Sequence, residues 1–363
     1  MKNIGVISMG VKMPIFKEGD NLKDTILKNI IETSAQNSIP IENGDIFAVT
    51  ESIVARAEGN YVTVDDIAQE VVEKFGENAT VGVLWPMYSR NRFSMILKGI
   101  ARGAKKVVVQ INNGKDEKGN DIYNMFTGID IEKFYTDLIK GENAECKIYR
   151  SNDERVILAH TENIIIGTVH TRFNIRKKLE GEGCDTSITL DALCNKPSDK
   201  HGYNEDYGLL GSNKATEEKL KLFPKTSTCK ELVDGIQKEI KELLDKDVEV
   251  LIYGDGCFKD PVCGIWEFAD PVVSPYSSTG LVGTPNELKI KFLADNEDLT
   301  EEEIRDRITN KDRNLKGQMV TEGTTPRRYT DLLGSLADLT SGSGDRGTPV
   351  VWIKNYFTNF SHL

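Results

Sequence analysis

Lys230 to Lys246 places Leu232, Val233, Ile236, Ile240, Leu243 and Leu244 along one helical face, and the β-branched run Val248-Glu249-Val250-Leu251-Ile252 follows at once. An amphipathic helix feeding a buried strand is the repeating unit of an α/β chain, and the same alternation runs through the rest of the sequence. A strand at Ile4–Ile7 leads to a helix over Leu22–Ala35 and a strand over Asp45–Thr50. Arg90-Asn91-Arg92 opens a helix to Ala101, followed by the strand Lys106–Gln110, and a further strand spans Asn163–Val169. The expected fold is therefore α/β (α+β mixed), with mixed sheets and helices. The expected division is an N-terminal α/β lobe at 1–145 and a C-terminal α/β lobe at 146–363, together forming one unit.

Composition narrows the function classes. The chain has 363 residues, 39% of them hydrophobic, enough for a large core. Its 46 Lys+Arg against 57 Asp+Glu leave a net charge of −11, which argues against non-specific nucleic-acid binding and against an anionic membrane surface. No apolar run reaches membrane-spanning length, and MKNIGVISMG enters a strand pattern without a signal-peptide core, so a cytoplasmic protein is expected. Six cysteines and four histidines form no zinc-ligand pattern, and the cysteines read as reduced thiols.

The segment Thr324–Asn355 carries the densest polar signal. Arg327 and Arg328 precede a helix over Thr330–Leu339, whose Leu332, Leu333, Leu336 and Leu339 recur at core spacing. The run SGSGDRG, Ser341 to Gly347, then offers backbone N–H groups to an anion, because glycine tolerates φ > 0 and has no side chain in the way. The strand Val350–Ile353 follows. Upstream, Asp255 sits in the turn after Val248–Ile252, at a strand's carboxyl end, where open α/β sheets bind ligands. A carboxylate there suits Mg²⁺ or Mn²⁺, which take oxygen ligands together with substrate phosphates. The alternative readings are an ordinary Asp-Gly turn, a flexible SGSG turn and a solvated arginine pair.

Near the start, Glu51–Gly59 (ESIVARAEG) places Ile53, Val54 and Ala57 on one side, with Glu51, Arg56 and Glu58 outside that stripe. A strand turning into a helix there would aim Glu51, Ser52 and Arg56 at one cleft; the alternative reading is a solvated face with i,i+5 charges. Asn112–Asn120 reads as a surface loop, and Glu180–Tyr207 as a substrate or metal loop.

VKMPIFKEGDNL and VTESIVARAEG near the start, with the GDG turn and DLLGSLADLTSGSGDRGTPVV near the end, resemble the coenzyme F420-0:L-glutamate ligase family of gamma-glutamyl ligases over most of the chain. The resemblance implies two intertwined lobes in a homodimer. It also implies a nucleotide-dependent ligase that joins the α-amine of L-glutamate to a carboxylate on a coenzyme F420-0-like acceptor through an acyl phosphate. GTP (or ATP) would be the co-substrate, with Mg²⁺ or Mn²⁺ and K⁺ as cations.

Carried onto this sequence, nucleotide contacts fall on Lys12, Met13, Pro14, Ile15, Glu51, Ser52 and Arg56, and on Gly342, Ser343, Gly344, Asp345, Arg346, Gly347 and Thr348. Metal aspartates fall on Asp255 and on Asp185 in Gly183-Cys184-Asp185-Thr186-Ser187. Arg327, Arg328 and Lys259 are the candidates for holding phosphate or the incoming glutamate carboxylates. Arg56 replaces the lysine of the family's SKAEG motif, Ser343 replaces an acidic or amide ligand, and Gly256 replaces a threonine. A folate-type polyglutamate ligase, another nucleotide-dependent enzyme such as a phosphotransferase or NTPase, and a non-catalytic nucleotide-binding homologue are the alternatives.

Overall fold

A computed structural model of the chain describes residues 4–124, 128–196, 204–254, 257–259, 266–268, 274–296, 299–312, 314–315, 321–341 and 346–358. The fold is mixed α/β and divides into two compact units that are discontinuous in sequence. The first comprises Met1–Ala57, Thr226–Asp255 and Pro271–Leu363; the second comprises Glu58–Lys225 and Gly256–Asp270. Position 145, where the sequence reading divides the chain, lies inside the second unit.

The first unit is built on a five-stranded mixed sheet. In spatial order its strands are Ile7–Val11, Val350–Lys354, Ile46–Thr50, Glu249–Tyr253 and Tyr276–Ser277. Ile46–Thr50 and Glu249–Tyr253 run parallel, and Val350–Lys354 runs antiparallel to both of its neighbours. Strand alternation then sorts the side chains. Phe47, Val49, Val250, Ile252, Val350 and Trp352 face the helices Leu22–Asn37 and Thr226–Leu244, which contribute Ile26, Ile30, Val233 and Ile236. Ile46, Ala48, Leu251, Tyr253, Val351 and Ile353 face the helix Tyr329–Ser341. The sheet is thus buried on both sides, which explains why its strands read as unbroken apolar runs.

Three local expectations shift. The opening strand is Ile7–Val11 rather than Ile4–Ile7, because its register is set by pairing with Val350–Lys354, from Ile7↔Lys354 to Val11↔Val350. On the helix Tyr329–Ser341 the inward stripe is Tyr329, Leu333 and Ala337, at strict four-residue spacing, whereas Leu339 is 75% exposed. Leu243 and Leu244 are likewise exposed, since the core face of their helix ends at Ile240.

At the sheet edge formed by the amino end of Ile46–Thr50, a buried charge is fully met. The Lys354 ammonium donates to both oxygens of Asp45, at 3.0 and 2.7 Å, and to the Pro40 carbonyl at 2.8 Å. Trp352 Nε1 donates to the same Asp45 carboxylate at 2.9 Å.

The second unit holds a five-stranded parallel sheet, in spatial order Ile188–Thr189, Ile164–Ile166, Thr80–Leu84, Lys106–Ile111 and Glu145–Arg150. Numbered along the chain, this is the 3-2-1-4-5 order of a doubly wound sheet, with its switch point between Thr80–Leu84 and Ile164–Ile166. Helices Arg92–Gly103 and Ile131–Gly141 pack with the larger core, and Arg172–Gly181 packs with Ile164 and Ile166 in a separate cluster. Beside them, a three-stranded antiparallel sheet joins Ser212–Thr216, Lys219–Leu222 and Tyr61–Thr63.

At the switch point the anion position is filled from within. The Glu117 carboxylate accepts from the backbone N–H of Val169 and from that of His170 at 3.1 Å, just before the helix Arg172–Gly181. Asn112–Asn120 is therefore not a plain surface loop. Its Asp116 is buried and accepts from the Asn120 N–H at 2.8 Å and the Lys118 N–H at 3.0 Å. Burial pushes the Asp116 carboxyl upward against those donors.

Candidate active site

Four segments meet at one edge of the first unit's sheet. Ile7–Val11, Ile46–Thr50 and Glu249–Tyr253 all end there, and Val350–Lys354, running the other way, begins there. The residues leaving that edge are Lys12–Ile15, Glu51 onward, Gly254 onward and the approach through Arg346–Pro349. Three of these four segments were singled out by sequence as nucleotide contacts.

Hydrogen bonds lock two of the segments together. Met13 N–H donates to the Gly347 carbonyl at 2.9 Å, so Lys12–Ile15 lies against Arg346–Thr348. Thr348 Oγ1 donates to the Ser341 carbonyl at 2.9 Å, and Thr50 N–H donates to the Pro349 carbonyl at 3.0 Å. Beyond Ile15, Phe16 is buried in the core and Gly19 N–H reaches the Ala57 carbonyl at 2.8 Å. The segment from Lys12 to Gly19 is consequently a strap, tied to the 346–348 turn at one end and to the helix Glu51–Glu58 at the other.

Exposure along this edge is sharply divided. Lys12, Pro14, Arg346 and Gly347 are exposed, as is Ile15 at 81%. Glu51 is wholly buried at the first turn of its helix, not outside the apolar stripe as its spacing suggested. Arg56 is exposed, and five residues along a helix from Glu51 is a rotation of about 140°, so the two do not share a face. Ser52, half-buried, stands one turn before Arg56 on the same side.

Sequence reasoning missed Gly10. A Cβ at that position would come within 2.8 Å of the Thr348 Cβ, so the glycine lets the 346–348 turn close onto the first strand. The available signal was an isolated glycine in a strand pattern. Gly10→Val is expected to displace Thr348 and, if this edge holds a nucleotide, to raise the KM for nucleotide with thermal stability little changed. Unchanged KM would remove Gly10 from the site.

The arginines lie elsewhere. Tyr329–Ser341 has 13 residues, so its two ends are about 20 Å apart. Arg327 and Arg328 precede its amino end, whereas the glycine run follows its carboxyl end. The guanidinium of Arg327 is held by both oxygens of Glu287 at 2.9 Å, and both arginines line a groove of about 360 Å³ with Pro326, Asp331, Leu332 and Ser335. Desolvation pushes the Asp331 carboxyl upward there, opposed by the Arg328 charge. Because a helix carboxyl end carries partial negative charge, anion binding at the glycine run would have to come from loop N–H groups and from cations such as Lys12 and Arg346.

Gly342, Ser343, Gly344, Asp345 and Asp255 lie outside the described residues. Lys259 belongs to the strand Cys257–Lys259, paired with Trp266–Phe268. Asp185 is exposed, in the turn after the helix Arg172–Gly181 of the second unit, beside Thr186, whose hydroxyl donates to the Glu162 carbonyl. Among the described residues no three His, Cys, Asp or Glu side chains cluster as a metal site, and no helix is long and apolar enough to cross a membrane. Oxygen donors do suit a hard divalent cation at the strand edge: the buried Glu51 carboxylate and the Ser52 hydroxyl are of that kind.

No curated protein matches the chain. The family model described as F420-0:Gamma-glutamyl ligase matches residues 10–355, from the glycine that seats Thr348 to the residue after the last strand, and the chain belongs to that family.

Proposed function

Taking membership of the gamma-glutamyl ligase family as the premise, we propose that the strand edge of the first unit binds a nucleoside triphosphate and that the enzyme joins L-glutamate to the carboxylate of a coenzyme F420-0-like acceptor. The observation that carries this reading is the convergence of Lys12–Ile15, Glu51–Ser52 and Arg346–Thr348 on one sheet edge, with the first and last tied by the Met13–Gly347 hydrogen bond.

The chemistry follows from the acceptor. A carboxylate is a poor electrophile, so its oxygen attacks the γ-phosphorus, the bond to the bridging oxygen breaks, and nucleoside diphosphate leaves an acyl phosphate behind. The glutamate amine then attacks the acyl carbon, inorganic phosphate departs, and the amine loses a proton to leave the amide. Phosphoryl transfer chiefly requires charge neutralisation and in-line placement. Lys12 and Arg346 supply positive charge at the exposed side, and the N–H groups of the 346–348 turn orient phosphate oxygens. A divalent cation, Mg²⁺ or Mn²⁺, would neutralise phosphate charge when bound, with Glu51 and Asp255 as the carboxylates to hold it. Arg327 and Arg328, about 20 Å along the helix from that edge, are assigned no part in phosphate binding.

The test is phosphate release from GTP and from ATP with Mg²⁺ or Mn²⁺, in the presence of L-glutamate and either an F420-0-like or a folate acceptor, with products read by mass spectrometry. The expected result is nucleotide consumption together with an F420-0-like product heavier by one glutamyl residue. Addition to the folate acceptor instead would reassign the substrate, and nucleotide hydrolysis without glutamate incorporation would overturn the ligase reading.

A further inference from the structure

The described residues between 282 and 322 form a small module in the first unit, with a core of Leu293, Ile304 and Ile308 against which Leu288 and Leu299 pack. Backbone bonds frame it: Leu315 N–H to the Thr284 carbonyl at 2.8 Å, Lys289 N–H to Glu322 at 3.1 Å, and Glu322 N–H to Glu287 at 3.2 Å. Within this frame is a cavity of about 420 Å³ whose walls include Asn286, Leu288, Arg307, Lys311, Leu315 and Glu322.

Its charges are unevenly met. The Arg307 guanidinium holds both oxygens of Glu322, at 2.8 and 3.0 Å, so that carboxylate is already engaged. The ammonium of Lys311 donates to the backbone carbonyl of Asn286, a neutral partner, and among the described residues it forms no salt bridge. Glu287, the carboxylate whose charge acts on it, is clasped by Arg327. A half-buried ammonium facing a cavity without a counter-ion is under-compensated, because desolvation penalises its charge. Among the described lining residues, Lys311 is therefore a cation without a paired carboxylate.

We infer that this cavity is a binding site for a small carboxylate-bearing ligand, with the carboxylate on Lys311 and a short hydrocarbon part on Leu288 and Leu315. A single carboxylate fits better than a phosphate dianion, since among the described lining residues Arg307 is paired with Glu322 and Lys311 is the cation without a salt bridge. The site is separate from the nucleotide edge. Tyr329 N–H donates to the Gly283 carbonyl at 3.1 Å, which fixes the module at the amino end of the helix whose other end, about 20 Å away, leads to the glycine run.

The site has a pH signature. Burial pulls the Lys311 ammonium below the usual lysine range, with Glu287 working against that shift. A bound carboxylate raises the ammonium again. Affinity is therefore full below the free-state value and falls about tenfold per pH unit above it, where binding must take up a proton.

Competitive acetylation of the full-length protein at pH 8, mapped by peptide mass spectrometry, tests this with exposed Lys291 as the internal reference. Lys311 is expected to react faster than Lys291, and butyrate at ten times its dissociation constant should slow Lys311 roughly tenfold while leaving Lys291 unchanged. Lys311→Met should abolish the upward Tm shift that butyrate gives the parent protein. No selective protection, or a Tm shift retained in the variant, would overturn the site. Stronger protection by inorganic phosphate would overturn the carboxylate assignment.

Discussion

Glu51→Gln is expected to lower kcat roughly 100- to 1,000-fold, the range seen when one preorganised electrostatic group is removed from a transition state. The carboxylate is wholly buried at the point where the strand Ile46–Thr50 becomes the helix Glu51–Glu58, and the Thr50 N–H bond to Pro349 fixes the backbone beside it. A carboxylate at this edge is an oxygen ligand of the kind a divalent cation with triphosphate takes. Gln keeps the shape and removes the charge, so thermal stability should change little while the metal concentration giving half-maximal rate rises. Glu51→Asp should recover part of the rate. Full turnover by folded Glu51→Gln would exclude the carboxylate from catalysis.

The second large effect is on stability. Lys354→Met is expected to cost about 3–5 kcal/mol, because it strands the Asp45 carboxylate in the interior with Trp352 Nε1 as its remaining side-chain donor. Lys354 is 5% exposed and Asp45 2%, so solvent does little to relieve the unpaired charge. Denaturant unfolding at neutral pH measures the loss. The double variant Asp45→Asn with Lys354→Met should recover much of it by removing both charges. A single variant within about 0.5 kcal/mol of the parent would mean that the pair contributes no more than an ordinary surface substitution.

Local pattern carried the reading as far as the individual strands and their ends. Ile46–Thr50, Glu249–Tyr253 and Val350–Lys354 are apolar runs bounded by polar turns, and the residues at their ends were recognisable from ESIVARAEG and SGSGDRG. What pattern could not carry was pairing. Ile46–Thr50 lies beside Glu249–Tyr253, two hundred residues away, and the second unit's 3-2-1-4-5 order likewise depends on contacts remote in sequence. The chain leaves the first unit at Ala57 and re-enters at Thr226 with no composition change to mark either crossing.

The arginine assignment shows a related effect. Arg327 and the glycine run look close in sequence, but a helix converts the 13 residues between Tyr329 and Ser341 into about 20 Å. Glu51 erred in the other direction. Its spacing put it outside the apolar stripe, yet helix starts at sheet edges bury their first turn against the neighbouring strands. Gly10 was legible only as a gap in a strand, since its purpose depends on Thr348, more than three hundred residues later.

The most direct measurement is photo-crosslinking of an azido-GTP to the full-length protein, with the labelled peptides identified by mass spectrometry. The account predicts label on peptides containing Lys12–Ile15 or Arg346–Thr348, suppressed by excess GTP and reduced in Gly10→Val. Label confined to the peptide carrying Arg327 to Ser335, and unaffected by Gly10→Val, would contradict it and move the nucleotide to the opposite end of the helix.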